Sequence, residues 1–424
     1  MVIKKNTYHN YLLFASVLLI LIPLGLISGP FLPDLFIVLI SFISLFIFNK
    51  NNQLFSLKSN YFRLFLCFYI YLVLTSVLSD NFYQSIKPSL TYIRFGFFSL
   101  AVVFILENKK DFIKHFYLMM CFTLIILIFD GYFQFITGKN ILGFRDHLRP
   151  DRLSSLFLDE LILGSYLGKI LPIFCTFYLL NKGYFNKYYI LILVILTYIL
   201  IFLSGERSAF FTTTLYLIMV TPFLIGIKRA VILCISIGII LGVLISTNKN
   251  IKSRYVDQML IHTLGHPTSP SVFMPDHIGL FASAIYIFKK NIIVGGGVKT
   301  FRINCKKTVN EKLTKLQPAY PNIIFCNTHP HNYYLQLLAE TGLIGFLFVL
   351  GIFIKLIFNY LKQVYYLIRK NKNIRNEYIT ILSGLVVYIW PLTTTGSFFN
   401  NWICSILFLQ IGIYLYVLKN ESKN

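Results

Sequence analysis

The chain has 424 residues, of which 56% are hydrophobic and 13% charged, with 39 Lys and Arg against 16 Asp and Glu. A mean hydropathy of +0.70 excludes a water-soluble domain. The net charge of +23 does not indicate nucleic acid, because the basic residues sit in loops between apolar runs and not on one domain face. In lipid every backbone polar group must be satisfied internally. The Leu, Ile and Phe runs lack the period-two alternation of a barrel strand, so the fold class is all-α, a polytopic membrane protein.

In chain order, Lys4 and Lys5 lead into an apolar run from Tyr11 to Ile27 with no small-residue cleavage site, which reads as a first span. Runs near the ~20 residues that a bilayer requires follow. They predict about twelve spans, at 11–28, 31–48, 61–78, 88–106, 112–130, 161–180, 188–204, 209–226, 230–246, 332–358, 378–396 and 402–418. The chain thus divides into nine spans over 1–246, a large loop with amphipathic helices over 247–331, and three spans over 332–424.

Lys and Arg near span ends stay cytoplasmic. Alternate short loops carry Lys50 and Lys58; Lys109, Lys110 and Lys114; Lys182 and Lys187; Lys228 and Arg229; and Lys362, Arg369, Lys370, Lys372 and Arg375. Both termini, with Lys4, Lys5, Lys419 and Lys423, fall on that side, which fits an even span count in a bacterial inner membrane. The opposite loops are nearly bare, with Lys87 alone between spans three and four.

Two outer loops depart from this pattern. Residues 131–160 hold Lys139, Arg145, Arg149 and Arg152, and residues 247–331 hold eleven Lys or Arg against Asp257, Asp276 and Glu311. A loop longer than ~60 residues translocates largely regardless of charge, so the orientation stands. Its positive surplus fits either an anionic substrate at the outer face or attraction to anionic headgroups. Cys67, Cys121, Cys175, Cys234 and Cys404 lie in apolar runs, where a thiol behaves as a small hydrophobe. Cys305 and Cys326 lie in the large loop, and an oxidising outer compartment would let them pair.

Ionisable groups at the outer ends of apolar runs are the best candidates for chemistry, since a charge near hydrocarbon is costly and usually faces a polar interior. In Ser204-Gly205-Glu206-Arg207-Ser208 the chain returns at once into the membrane. Arg207 there either grips a phosphate in bidentate fashion, or snorkels or pairs with Glu206. Asp130-Gly131-Tyr132-Phe133-Gln134 precedes Arg149 and Arg152, two arginines three residues apart. These either share one face and hold a diphosphate, or pair locally with Asp151 or Asp159.

The third place is His329-Pro330-His331 at the head of span ten, where Asn332, Gln336 and Glu340 recur every fourth residue as one polar stripe facing the bundle interior. A histidine there can take a proton from an attacking hydroxyl. Gly295-Gly296-Gly297 lacks a nucleotide-binding context and reads as a turn. His329 and His331 have no carboxylate or Cys partners at metal-ligand spacing, so no metal is expected.

The string HPHNYYLQLLAETGLIG at 329–345 resembles the signature of the O-antigen ligase and polymerase family. SGERSA at 204–209 looks like that family's arginine turn, and NIIVGGGVKTFR at 291–302 looks like its segment closing the large loop. DGYFQFITGKNILG and DRLSSLFLDELILGSYLGKILP, within 130–172, are also similar to this group. The resemblance implies a GT-C-like inverting glycosyltransferase, with no metal or cofactor, that takes a glycan from undecaprenyl diphosphate. The acceptor would be lipid A-core for a ligase and another lipid-linked repeat for a polymerase.

By motif, Arg207 matches the arginine expected on the donor diphosphate and His331 the proposed base. Many members have an arginine where His277 stands, so Arg149, Arg152 or Arg302 takes the second phosphate position here, or His277 itself contacts phosphate. His329, Asn332 and Glu340 are further substrate-site candidates, and Arg94, within an apolar run, is another. Arg94 is also the best sequence feature for the rival reading, a flippase of lipid-linked oligosaccharide. A non-enzymatic scaffold leaves the His and Arg at the membrane entry points unexplained.

Overall fold

The computed structural model describes residues 5–50, 59–145, 149, 151–181, 186–257, 275–311, 325–369 and 374–421, and every regular element among them is helical. In chain order these are α1 (Lys5–Gly25), α2 (Phe31–Lys50), α3 (Asn60–Val77), α4 (Phe82–Thr91), α5 (Ile93–Asn108), α6 (Phe112–Thr137), α7 (Leu163–Leu180) and α8 (Lys187–Leu203). They continue with α9 (Arg207–Ile225), α10 (Ile227–Thr247), α11 (Lys249–Lys252), α12 (Pro275–Lys290), α13 (Phe301–Glu311), α14 (Tyr333–Arg369), α15 (Asn376–Tyr388) and α16 (Asn401–Glu421). Of the basic residues used for orientation, Lys4, Lys58, Lys182, Lys370, Lys372 and Lys423 lie outside the described residues.

Each of the twelve apolar segments carries a helix. Nine helical stretches among the described residues are long and apolar enough to cross a membrane, and Phe31–Ile47 and Lys187–Leu203 are shorter apolar helices. One of the nine, Phe82–Asn108, combines α4 and α5. The eleventh segment, expected to be helical over 378–396, is corrected by the structure: α15 stops at Tyr388 and the chain from 389 to 400 is irregular. The apolar run hid the reason. Pro391, the Thr393–Thr395 run and Gly396 remove a donor, crowd χ1 and loosen the backbone in succession.

In lipid the apolar effect does not drive helices together, so close packing must. The α5–α16 contact illustrates this: a Cβ on Gly412 would collide with Val102 and with the Ser99 carbonyl oxygen. The Ser99 hydroxyl donates to the Phe408 carbonyl across the same interface (3.1 Å). Around it, Tyr92, Phe95 and Phe408 stack edge and face.

α14 is not one straight rod. At Gly342 its backbone turns to φ 64°, ψ −166°, a left-handed conformation that suits glycine. The opening receives the 291–297 turn: Leu343 N donates to Ile292 O (2.8 Å), Gly296 N to Ala339 O (2.9 Å) and Gly297 N to Glu340 O (2.9 Å). A second small core, made of Leu280, Ala284, Ile287, Phe301, Cys305 and Ala339, seats α12 and α13 on the first turns of α14. The loop is thereby fixed over one end of the bundle, where α7, α9, α14 and α16 begin.

Candidate active site

A cavity of about 840 Å³ opens at that end. It is lined by α7 (Ser165, Gly168, Lys169, Pro172), α9 (Ser208, Ala209, Thr212, Tyr216), the 393–397 segment, and His277, Lys299, Arg302, His329 and His331. Its floor is closed by Gly384 and Tyr388 of α15 and Gln410 of α16.

One wall is cationic. Arg207 is the first residue of α9, where the helix dipole already presents positive charge, and Arg254 and Arg152 are its like-charged neighbours. Glu206 does not pair with it. Both oxygens of that buried carboxylate face the start of α7, where Oε1 accepts from Gly164 N (2.7 Å) and Oε2 from Ser165 N (3.2 Å) and Ser165 Oγ (2.6 Å). Burial raises the Glu206 pKa, against the hydrogen bond from Ser165 and the charge of Arg152.

The Arg254 guanidinium donates from Nε to Gly205 O (3.1 Å) and stands 3.9 Å from an Asp151 oxygen, while Tyr255 stacks on Phe202 with centroids 4.5 Å apart. Arg152 donates from Nη2 to Leu161 O (3.0 Å), and burial is the main influence lowering its pKa. Among the described residues no acceptor engages Arg207, so this helix start carries positive charge, an arrangement that suits an anion, while Asp159 and Glu160 are also in the cavity lining. Arg207 flanks the cavity beside its lining residue Ser208.

A histidine cluster lines the cavity at the head of α14. The His331 ring centroid lies 4.2 Å from that of His329 and 5.2 Å from that of His277. His331 itself adopts φ 54°, a conformation costing about 1–3 kcal/mol for a non-glycine residue. Thr395 N holds it by donating to the His331 carbonyl (2.8 Å). Burial lowers the His331 pKa, opposed by the Thr395 backbone hydrogen bond, and burial with the His331 charge pushes His329 down to about 4. Both rings are therefore neutral near pH 7, the state in which an imidazole accepts a proton. No group of three or more His, Cys, Asp or Glu side chains among the described residues is placed to hold a metal ion.

The polar stripe of α14 faces inward, as its spacing predicts, and Gln336 and Glu340 line the cavity, but its polar atoms are engaged by the protein. Asn332 Oδ1 caps the helix, accepting from Tyr334 N (3.0 Å) and Leu335 N (3.1 Å), while its Nδ2 donates to Pro391 O (2.8 Å) and Thr393 O (3.2 Å). Gln336 donates to Ser397 Oγ (2.9 Å) and Glu340 Oε2 (3.0 Å) and accepts from Phe398 N (2.8 Å). Glu340 accepts from Lys299 N and Phe301 N (both 3.0 Å), capping α13. Cys305 and Cys326 are joined as a disulfide, which ties α13 to the segment leading into His329.

The remaining candidates separate. Arg302 and His277 line the cavity, Arg152 belongs to the cationic wall, and Arg149 is exposed on the turn where Arg152 N donates to Arg149 O (3.1 Å). Arg94 is elsewhere: its Nη2 and Nε reach Asp34 Oδ1 (2.8 and 3.0 Å), and its guanidinium lies 4.5 Å from the Phe95 ring centroid. Three cations went unnoticed in the sequence. Lys169 sits in an apolar helix, Arg254 adjoins Arg207 only in space, and Lys299 hides in the NIIVGGGVKTFR segment. Burial lowers the Lys299 pKa, partly offset by Glu340.

Residues 191–350 match the family model described as O-Antigen ligase. No curated protein matches the chain. The matched span contains Arg207, His277, Arg302, His329, His331, Asn332 and Glu340, whereas Arg94, Arg149, Arg152 and Lys169 precede it.

Proposed function

Taking the match of residues 191–350 to the O-antigen ligase family model as the premise, we propose that the chain transfers a glycan from a polyprenyl diphosphate, undecaprenyl diphosphate, to a hydroxyl on lipid A-core or a similar acceptor. The observation that carries this reading is a cavity lined by His331, His329, His277 and Arg302, with the unpartnered Arg207 at its edge beside Ser208. His331 removes the acceptor hydroxyl proton as that oxygen attacks the anomeric carbon. The bond to the diphosphate breaks on the opposite face, so the configuration inverts. The leaving diphosphate takes the electron pair and is held by Arg207, with Arg152 and Arg254 beside it. Fixed charge of this kind contributes about 10²- to 10³-fold.

The cavity end faces away from the cytoplasm in this reading. Lys109, Lys228, Arg229, Lys362, Arg369 and Lys419 gather at the other end of the bundle, where Lys419 pairs with Glu107 (2.6 Å). The protein then resides in a bacterial inner membrane with both termini inside. A polymerase would use the same donor site with a lipid-linked repeat as acceptor. The flippase reading loses its best support, because Arg94 is paired with Asp34. Purified protein in liposomes with labelled lipid-linked glycan separates the two classes. A new glycosidic bond is expected, and movement of label across the bilayer without one would overturn enzyme function.

A further inference from the structure

Lys169 stands on α7 six residues past the helix start at Leu163, about 9 Å along the axis at 1.5 Å per residue. It lines the cavity between Gly168 and the floor residues Tyr388 and Gln410. Its Nζ lies 5.4 Å from the Tyr388 ring centroid, and no carboxylate among the described residues pairs with it. The acid that reaches it electrostatically, Glu206, is engaged by Gly164 and Ser165.

A further polar group beside Lys169 is unfilled. Gln410 donates from Nε2 to Lys169 O (2.7 Å), but its Oε1 is buried with no partner. An ammonium within an apolar span is costly and normally marks a polar ligand.

We propose that Lys169 is the ligand for the phosphate nearest the lipid in a polyprenyl diphosphate, an inference that rests on the glycan-transfer reading of the same cavity. In such a donor the order is sugar, distal phosphate, proximal phosphate, lipid. Along the cavity, Arg207 adjoins the start of α7, where Glu206 meets Gly164 and Ser165, and Lys169 lies deeper on the same helix. The deeper ligand meets the phosphate nearer the lipid, which a lipid monophosphate also carries, so Lys169 contributes to the binding of both lipids, while Gln410 Oε1 completes the polar floor.

Binding to purified protein in zwitterionic nanodiscs tests this, with undecaprenyl diphosphate, undecaprenyl monophosphate and phosphatidylglycerol as separate probes. Wild type is expected to bind both undecaprenyl lipids. Lys169→Met and Lys169→Gln should weaken binding of the monophosphate, whose single phosphate is the one nearest the lipid, and of the diphosphate, each by about tenfold or more, the scale of one charge-assisted hydrogen bond. Lys169→Arg should keep both affinities, and phosphatidylglycerol should not compete. The ligand-free melting temperature of Lys169→Met should equal or exceed wild type, since no ion pair is lost. Unchanged monophosphate binding in Lys169→Met and Lys169→Gln, competition by phosphatidylglycerol, or failure of both variants to fold would overturn the assignment. A parallel assay of glycosidic bond formation by wild type keeps the two proposals apart: absent transfer with Lys169-dependent lipid binding refutes the enzyme and not the subsite.

Discussion

Two sets of polar groups line or adjoin the same cavity and differ in what they bind. On α14, the amides of Asn332 and Gln336 and the carboxylate of Glu340 engage backbone and side-chain partners at every polar atom, all of them within the protein. By contrast, Arg207, the His329 Nε2 and the Gln410 Oε1 have no partner among the described residues. A satisfied group stabilises the fold, and an unsatisfied group in a membrane protein is held ready for a ligand. Substitutions on the two sides should separate stability from activity.

The largest effect is expected at Arg207. Arg207→Ala should lower glycan transfer by about 10³-fold, with a melting temperature at or above wild type, because it removes a like-charge contact at a helix start. His331→Ala should cost about 10²-fold in transfer. Its pH profile supplies a second test. A base with a lowered pKa stays neutral below the usual ~6.5, so the acid limb of kcat/KM should fall below pH 6.5 and vanish in His331→Ala. Stability should also drop as pH falls from about 6.5 toward the His329 value of about 4, since over that interval the unfolded chain binds a proton that the folded one does not; a melting-temperature series checks it.

On α14 the pattern inverts. Glu340→Ala leaves the Lys299 and Phe301 backbone amides and one N–H of the Gln336 side chain without acceptor and should cost about 3 kcal/mol or more, seen as loss of folded protein. Asn332→Ala should cost about 1 kcal/mol through its cap, with a further loss as the 391–395 segment loosens. Arg94→Met, outside the cavity lining, should change transfer by less than about twofold, its effect falling on stability through the Asp34 pair.

The helices, the basic loops of one side and the inward stripe of α14 were legible because each is periodic or local: apolar run length, charge count, and i, i+4 spacing. Arg207 and His331 were legible as charges at the ends of apolar runs. Partnership was not. Spacing shows that Glu340 faces inward, but the Lys299 and Phe301 amides that fill it come from another element, folded back through Gly342. Glu206, adjacent to Arg207 in sequence, turns instead to α7, forty residues earlier in the chain. Lys169 was masked by the apolar residues around it, and the end of α15 by a run that remains hydrophobic past the last helical turn at Tyr388.

The most direct measurement is glycan transfer by purified Arg207→Ala and wild type from the same lipid-diphosphate donor, with the melting temperature of each recorded beside it. Transfer reduced by about 10³-fold in a variant as stable as wild type is the expected result. Wild-type transfer by Arg207→Ala, or a loss of activity that follows a loss of fold, would contradict the assignment of the cationic wall to the leaving diphosphate.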